Sequence, residues 1–343
     1  MRKQWICAAA GTALLLLAVL PAGHALGSVP SSESASVSAG SRLSSPAGLG
    51  KRLIRPKKLP DAFIQGDYAR IYAQLSPELQ VSFSAAELEQ AGTEFFRDTG
   101  SLHLLTKVDL SVGTQYIWAN ADAAKGLMAV FSSDGSITGL LLKPLTPYPE
   151  SDARLTHTAY RMPVTGSWFV FWGGTNELLN YHYPYESQRY AYDLVVARRD
   201  GTTYTGDPAK LESYFAFGRE VVAPSDGRVI RTLDSVPDNS PVGGTTNRAQ
   251  PFGNYVVIDH GGGEYSVLAH LQLGSVKVQP GQAVKRGEAI GRCGNSGNST
   301  EPHIHYQVQN SPEPGEGQSL RIRPLHGEEP IRGEFVRGMG RQG

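Results

Sequence analysis

The sequence predicts two folded units: an α+β domain, helices first and an antiparallel sheet after, and then an all-β sandwich or open barrel. Three observations carry this. Apolar residues recur at helical spacing up to about residue 99 and alternate after Gly100. From Tyr160 onward the chain is a succession of short β-rich runs punctuated by glycine. Ahead of both units lies a stretch rich in Ser, Gly and Pro. With 343 residues, each unit has room for its own core.

In chain order, Arg2 and Lys3, the apolar run "LLLLAVL" and the small residues "PAGHALGS" read as an export signal over residues 1–25, cut after Ala25. The rival reading is an uncleaved membrane anchor, for which the apolar stretch is short. Cys7 lies ahead of the apolar run, too early for a lipid-acceptor cysteine. Once it leaves with the signal, Cys293 stands alone and no internal disulfide is expected. Residues 26–58 bury too little apolar surface to offset their ordering entropy and are expected to be a disordered linker. Its basic end, "KRLIRPKK", could touch anionic wall polymers. The expected location is therefore secreted, extracellular or in the cell wall. Lys plus Arg number 32 and Asp plus Glu 32, so there is no basic field of the kind nucleic acids require. DNA and RNA are excluded as expected partners, and no stable protein partner is evident.

Residues 59–146 are expected to form the α+β unit. Ile64, Tyr68, Ile71, Tyr72 and Leu75 share one helical face, and Ser84 with Glu87 forms a capping box for a second helix. "LHLLTKVDLSV", "QYIWANA", "GLMAVFSS" and "SITGLLLKP" read as strands, the last two joined at Ser-Asp-Gly. The element order resembles cystatin-like cones found ahead of secreted hydrolases. His103 and Asp109 sit on these strands without a motif, so this unit is assigned no chemistry.

Residues 160–343 are expected to be the β unit and to hold the site. In "STEPHIHYQVQ", residues 299–309, His303 and His305 are two apart and share one face of a strand. Asp193 lies in the apolar strand "YAYDLVVAR", where a carboxylate is costly unless paired or metal-bound. His182 precedes it by 11 residues, and His270 ends "SVLAHL". Zinc favours neutral imidazoles and a carboxylate, and a catalytic zinc takes three protein ligands and a water. His182, Asp193 and His305 can supply that set. His270 and His303 then remain to move protons and to stabilise the oxyanion and leaving nitrogen of an amide under attack.

"NYHYPYESQRYAYD", "FGREVVAPSDGRVI", "FGNYVVIDHGGGEYSVLAHL" and "VQPGQAVKRGEAIGRCGNSGNSTEPHIHYQVQ" together resemble the catalytic domain of the lysostaphin-type, or LytM-like, zinc endopeptidases. The resemblance implies His182, Asp193 and His305 as zinc ligands, one ion per chain, and His270 and His303 as catalytic residues. It also implies hydrolysis of peptide cross-links in bacterial peptidoglycan, with a zinc-activated water as nucleophile. Many members place the first His and Asp four apart; a subgroup with a longer "N-x-H … Q-R-Y-A-Y-D" stretch is more similar. Some LytM-like domains have lost ligands and act as non-catalytic regulators of other wall hydrolases, which is the alternative reading. A carrier hairpin over "VQPGQAVKRGEAIG" is a third, disfavoured because no lysine sits at the tip of its turn in a carrier setting.

Around the site, Asn180, Tyr181 and Tyr183 are candidate groove residues. Trp168, Phe169, Phe171 and Trp172 are expected to fill the core, Cys293 to be a buried apolar residue, and His260 and His157 to have no metal role. The tail after Pro312 is expected to add one or two strands to the sheet.

Overall fold

The computed structural model describes residues 53–338. The expected export signal and most of the expected linker lie outside the described residues. The end of the linker is ordered: Ile54 is buried, and its N–H and carbonyl both bond the side chain of Gln74.

Four short helices lead the first unit: α1 (Leu59–Ile64), α2 (Tyr68–Ala73), α3 (Pro77–Ser82) and α4 (Ala85–Phe96). The helical spacing of residues 64–75 suggested one helix, but two form. Gly66 takes a φ of 73°, its N–H bonds Phe63 O and the Asp67 N–H bonds Ala62 O, which closes α1 with a Schellman turn. Ile64 is consequently exposed rather than part of the apolar stripe. The α4 cap is the expected one: the Glu87 N–H donates to Ser84 Oγ at 3.3 Å, and the Ser84 N–H donates to Glu87 Oε2 at 2.7 Å. Such a cap contributes about 1 kcal/mol.

The strands β1 (Leu102–Leu110), β2 (Gly113–Asn120), β3 (Lys125–Phe131) and β4 (Ile137–Pro144) form an antiparallel meander in that order. Trp118, Leu127, Ala129 and Leu140 face the helices and make the core of this unit. The opposite face of the meander does not meet water. Ile117, Ala119 and Met128 pack on Leu178 and Leu179, and Val108 packs on Phe169 and Val195, all four from the second unit. Gln115, on the face shared by Ile117 and Val108, is fully buried there with neither amide atom hydrogen-bonded to protein.

The second unit contains β5 (Leu155–Tyr160), β6 (Ser167–Trp172), β7 (Tyr192–Val195), β8 (Glu220–Val222), β9 (Gly227–Leu233), β10 (Asn254–Asp259), β11 (Tyr265–Leu271), β12 (Ala283–Val284), β13 (Ala289–Arg292), β14 (Ile304–Gln309), β15 (Ser319–Pro324) and β16 (Phe335–Arg337). Ten of them form one sheet in the order β12-β9-β10-β11-β14-β7-β6-β16, with β15 also on β14 and β5 on β15. β8 and β13 pair with each other in a small separate sheet. The tail does supply two strands, β15 and β16. Because side chains alternate, β14 sends Ile304, Tyr306 and Val308 into the main core, shared with Tyr192, Leu194 and Leu268. Its other face carries His305, Gln307 and Gln309. Trp168 and Phe169 are buried as expected, whereas Phe171 and Trp172 are half-buried and hold the guanidinium of Arg332, centred 3.9 Å from the Trp172 ring centroid. Cys293 is buried and free.

Candidate metal and active site

Strand register brings the first two groups together. β14 lies between β7 and β11, and His305 stands directly opposite Asp193 on one side and Ala269 on the other. Directly opposed residues share a face, so the carboxylate and the imidazole meet without any loop to position them. His305 Nδ1 is 3.1 Å from Asp193 Oδ1.

His182 arrives from a loop, and the sequence shows how an 11-residue gap is held. Asn180 Oδ1 accepts from the His182 N–H, while Asn180 Nδ2 faces the carbonyls of Gly174, Arg189 and Ala191. Successive turns, Tyr185 N to His182 O, Gln188 N to Tyr185 O and Ala191 N to Gln188 O, fold the loop back to β7. His182 Nε2 then lies 3.2 Å from Asp193 Oδ2, and its Nδ1 is buried without a partner. One ligand atom each from His182, Asp193 and His305 lies within 4.8 Å of the others, and all three residues are buried. This is the cluster among the described residues that could hold a metal ion.

His270 reaches the same place by breaking the strand's alternation. Asn254 pairs with Leu271 and Val256 with Leu268, so β11 has one residue more than β10 across this interval. The extra residue is a bulge, and His270 adopts a φ of 61°. Leu268 and Leu271 therefore both face the main core, while Ala269 faces the other way and the His270 ring lies 4.7 Å from the His303 ring. Nδ1 of His270 lies 2.8 Å from Ser296 O, and Nδ1 of His303 lies 2.8 Å from Glu301 O. A carbonyl only accepts, so each Nδ1 carries the proton and each Nε2 is left as a base. His303 Nε2 is 3.7 Å from Asp193 Oδ1.

The charge state follows from burial. Burial pushes the Asp193 carboxyl up, but the rings of His182, His303 and His305 around it outweigh that and hold it well below the usual carboxylate range. Burial drives His182 down more than Asp193 draws it up, and drives His270 well below the ordinary imidazole value. The centre thus combines an ionised Asp193 carboxylate with His182 and His270 rings held neutral by burial. Beside it, Glu301 is enclosed under Thr203, whose hydroxyl donates to it at 3.2 Å, and burial pushes its carboxyl up to about 7.

Of the three groove candidates, Tyr181 alone is exposed, at 48%, with its ring 3.9 Å from that of His182. Asn180 and Tyr183 do not line a groove. Asn180 is fully buried as the staple of the loop, and the Tyr183 hydroxyl donates to Asp152 at 2.7 Å and accepts from the Tyr148 N–H. His260 is held by Asp226 O and Ser266 Oγ, away from the cluster, and His157 lies exposed on β5. Sequence reasoning passed over Gln307 and Gln309, which continue the face of His305 at spacings of two and four and are fully buried.

A buried constellation of histidines and one aspartate on the face of a β-sheet defines a candidate metal-binding centre. Residues 213–320 match the model of Peptidase family M23. Over 181 residues it is 28% identical to the peptidoglycan DD-endopeptidase ShyA of Vibrio cholerae, a match covering 52% of this chain and 34% of that protein. Over 90 residues it is 40% identical to an uncharacterized metalloprotease of Haemophilus influenzae, covering 26% of this chain and 16% of that one. The chain thus spans about a third of the relative's length in the first case and less in the second. Among solved structures, the catalytic domain of lysostaphin from Staphylococcus simulans is similar at 24% identity and a TM-score of 0.20, covering 35% of this chain and 86% of that one.

Proposed function

We propose that this protein is a secreted, zinc-dependent endopeptidase that hydrolyses peptide cross-links in bacterial peptidoglycan. One observation carries the metal. His305 Nε2 lies 2.8 Å from the Gln307 carbonyl oxygen, so that nitrogen holds the ring proton and Nδ1 presents a lone pair to Asp193 at 3.1 Å. A buried imidazole nitrogen facing an ionised carboxylate needs a cation between them, a shared proton or a metal ion, and the convergence of His182 on the same carboxylate favours the metal. The donor set, two imidazoles and a carboxylate, is the one zinc prefers. The two separations to Asp193, 3.2 and 3.1 Å, are close to the roughly 3.4 Å at which ligands about 2.0–2.1 Å from a tetrahedral ion stand apart. His182 Nε2, an Asp193 carboxylate oxygen and His305 Nδ1 would hold the ion.

Zinc in such a site acidifies water and polarises an amide carbonyl. The chain's own groups supply the rest. Nε2 of His303, beside Asp193, takes up a proton as the amide is attacked. Nε2 of His270, in ring contact with it and also a base, accepts a hydrogen bond from the attacking water, and the proton taken up by His303 then passes to the departing nitrogen. Tyr181 forms exposed wall next to His182. The substrate class is drawn from the relatives, one of which is named a peptidoglycan DD-endopeptidase, and export rests on the signal over residues 1–25.

The test is zinc content and cell-wall hydrolysis of His305→Ala. Loss of both is expected, and wild-type zinc binding and lysis in that variant would remove the proposal. Lysis by the wild type that persists in a chelated sample and depends on a co-expressed amidase would instead mark a non-catalytic regulator.

A further inference from the structure

Beyond His305, the site face of β14 carries a run of buried amides whose polarity is fixed from its far end. Gln309 Nε2 lies 2.7 Å from Ser311 O and 2.5 Å from Glu313 O. Two carbonyls can only accept, so this end of Gln309 must be its NH2 group, and its oxygen must face Gln307. Gln307 Nε2 donates to that oxygen at 2.6 Å and to Ser187 O at 2.9 Å. Both amide hydrogens of Gln307 are then in use, and its oxygen is turned to His305 Nε2 at 2.8 Å. A flip of either amide would set carbonyl against carbonyl in a buried site, at about 1–3 kcal/mol for each group left unpaired.

We infer that Gln307 and Gln309 are positioning residues, a one-way amide relay that fixes the proton of His305 on Nε2 and so keeps Nδ1 free as a ligand. The relay has a second anchor. Ser187 belongs to the 11-residue loop between His182 and Asp193, so the same Gln307 amide that orients one imidazole ties down the segment carrying the other. Register alone places His305 opposite Asp193, but it leaves the ring free to carry its proton on either nitrogen. The relay holds a proton on Nε2 and so makes Nδ1, on the Asp193 side, the atom that can exchange a proton for a metal ion; partners of this kind typically change metal affinity 10–100-fold.

The inference rests on the metal reading for its consequence and not for its first test. With ¹⁵N-labelled histidine, Nε2 of His305 should stay protonated with and without zinc, while Nδ1 exchanges a proton shared with Asp193 for the metal. Gln307→Glu keeps an acceptor for the Nε2 proton and should keep the tautomer. Gln307→Leu removes the acceptor, and the ring should then populate both tautomers while zinc affinity, measured by chelator competition, falls 10–100-fold. Gln309→Leu, one residue further from the cluster, should give a smaller shift in the same direction, and it serves as the reporter if Gln307→Leu fails to fold. A ring unprotonated at Nε2 in the metal-free wild type overturns the relay. So does an unchanged tautomer in a folded Gln307→Leu or Gln309→Leu. Failure of the zinc reading would appear separately, as His305→Ala that still binds zinc.

Discussion

His270 carries the strongest backbone signature in the centre. A left-handed conformation costs a non-glycine residue roughly 1–2 kcal/mol, and here it turns the ring to the face occupied by His303. His270→Gly should therefore be more stable than His270→Ala by about 1 kcal/mol in chemical denaturation. Both variants should bind zinc normally and lose roughly 10²–10⁴-fold in hydrolysis, the usual range for a proton-transfer group. Equal stability of the two would contradict the strain. Asp193, His303 and His305 were legible from the sequence, because a carboxylate in an apolar strand and a His-x-His pair obey simple alternation. The route of His270 was not: a bulge shows in pairing, not in composition. Nor could the sequence tell that Asn180 and Tyr183 serve the loop. Hydrogen-bond saturation is a property of the folded surroundings, and both residue types are equally suited to a groove.

The loop from residue 176 to 191 is the element on which the centre depends most, since it alone carries His182. Its root, Leu178 and Leu179, is buried against the outer face of the N-terminal meander. At Gly126 on β3, an added Cβ would come 2.5 Å from Leu178 Cδ1 and 2.9 Å from Leu145 Cδ1, so the approach is close because the residue is glycine. Gly126→Ala should destabilise the protein by about 1–3 kcal/mol and weaken zinc binding, although no ligand is altered. Denaturation and chelator competition on the same sample check both; unchanged affinity would show that the loop holds its shape without that support. The strands β1–β4 and β7–β14 followed from period and turn residues, whereas β5 begins ahead of the expected boundary at residue 160 and β6 was expected only as core residues. The first helices did not follow from period, because Gly66, inside an otherwise periodic stretch, acts as a terminator only when the carbonyls of Ala62 and Phe63 are free to accept from beyond it.

The two units are joined along a face that no period or motif announces. Alternation along β1 and β2 marks a buried side and a second side, and only packing shows that the second side is covered by another part of the same chain. Thr106 Oγ1 donates to the Arg332 carbonyl at 2.9 Å, and Lys143 pairs with Glu177, so polar contacts accompany the apolar ones. The N-terminal unit is therefore a support for the His182 loop and not merely a spacer. Gln115 is the exception within this seam, an amide sealed away with both atoms unanswered. Parting the two halves would let solvent satisfy it, so the seam is the place where heat should first prise the molecule open. Calorimetry should show a low-temperature shoulder that moves upward in Gln115→Leu, and a single transition unaltered by that change would locate the weak point elsewhere. On that expectation the chain meets its temperature limit at one sealed amide outside the histidine cluster.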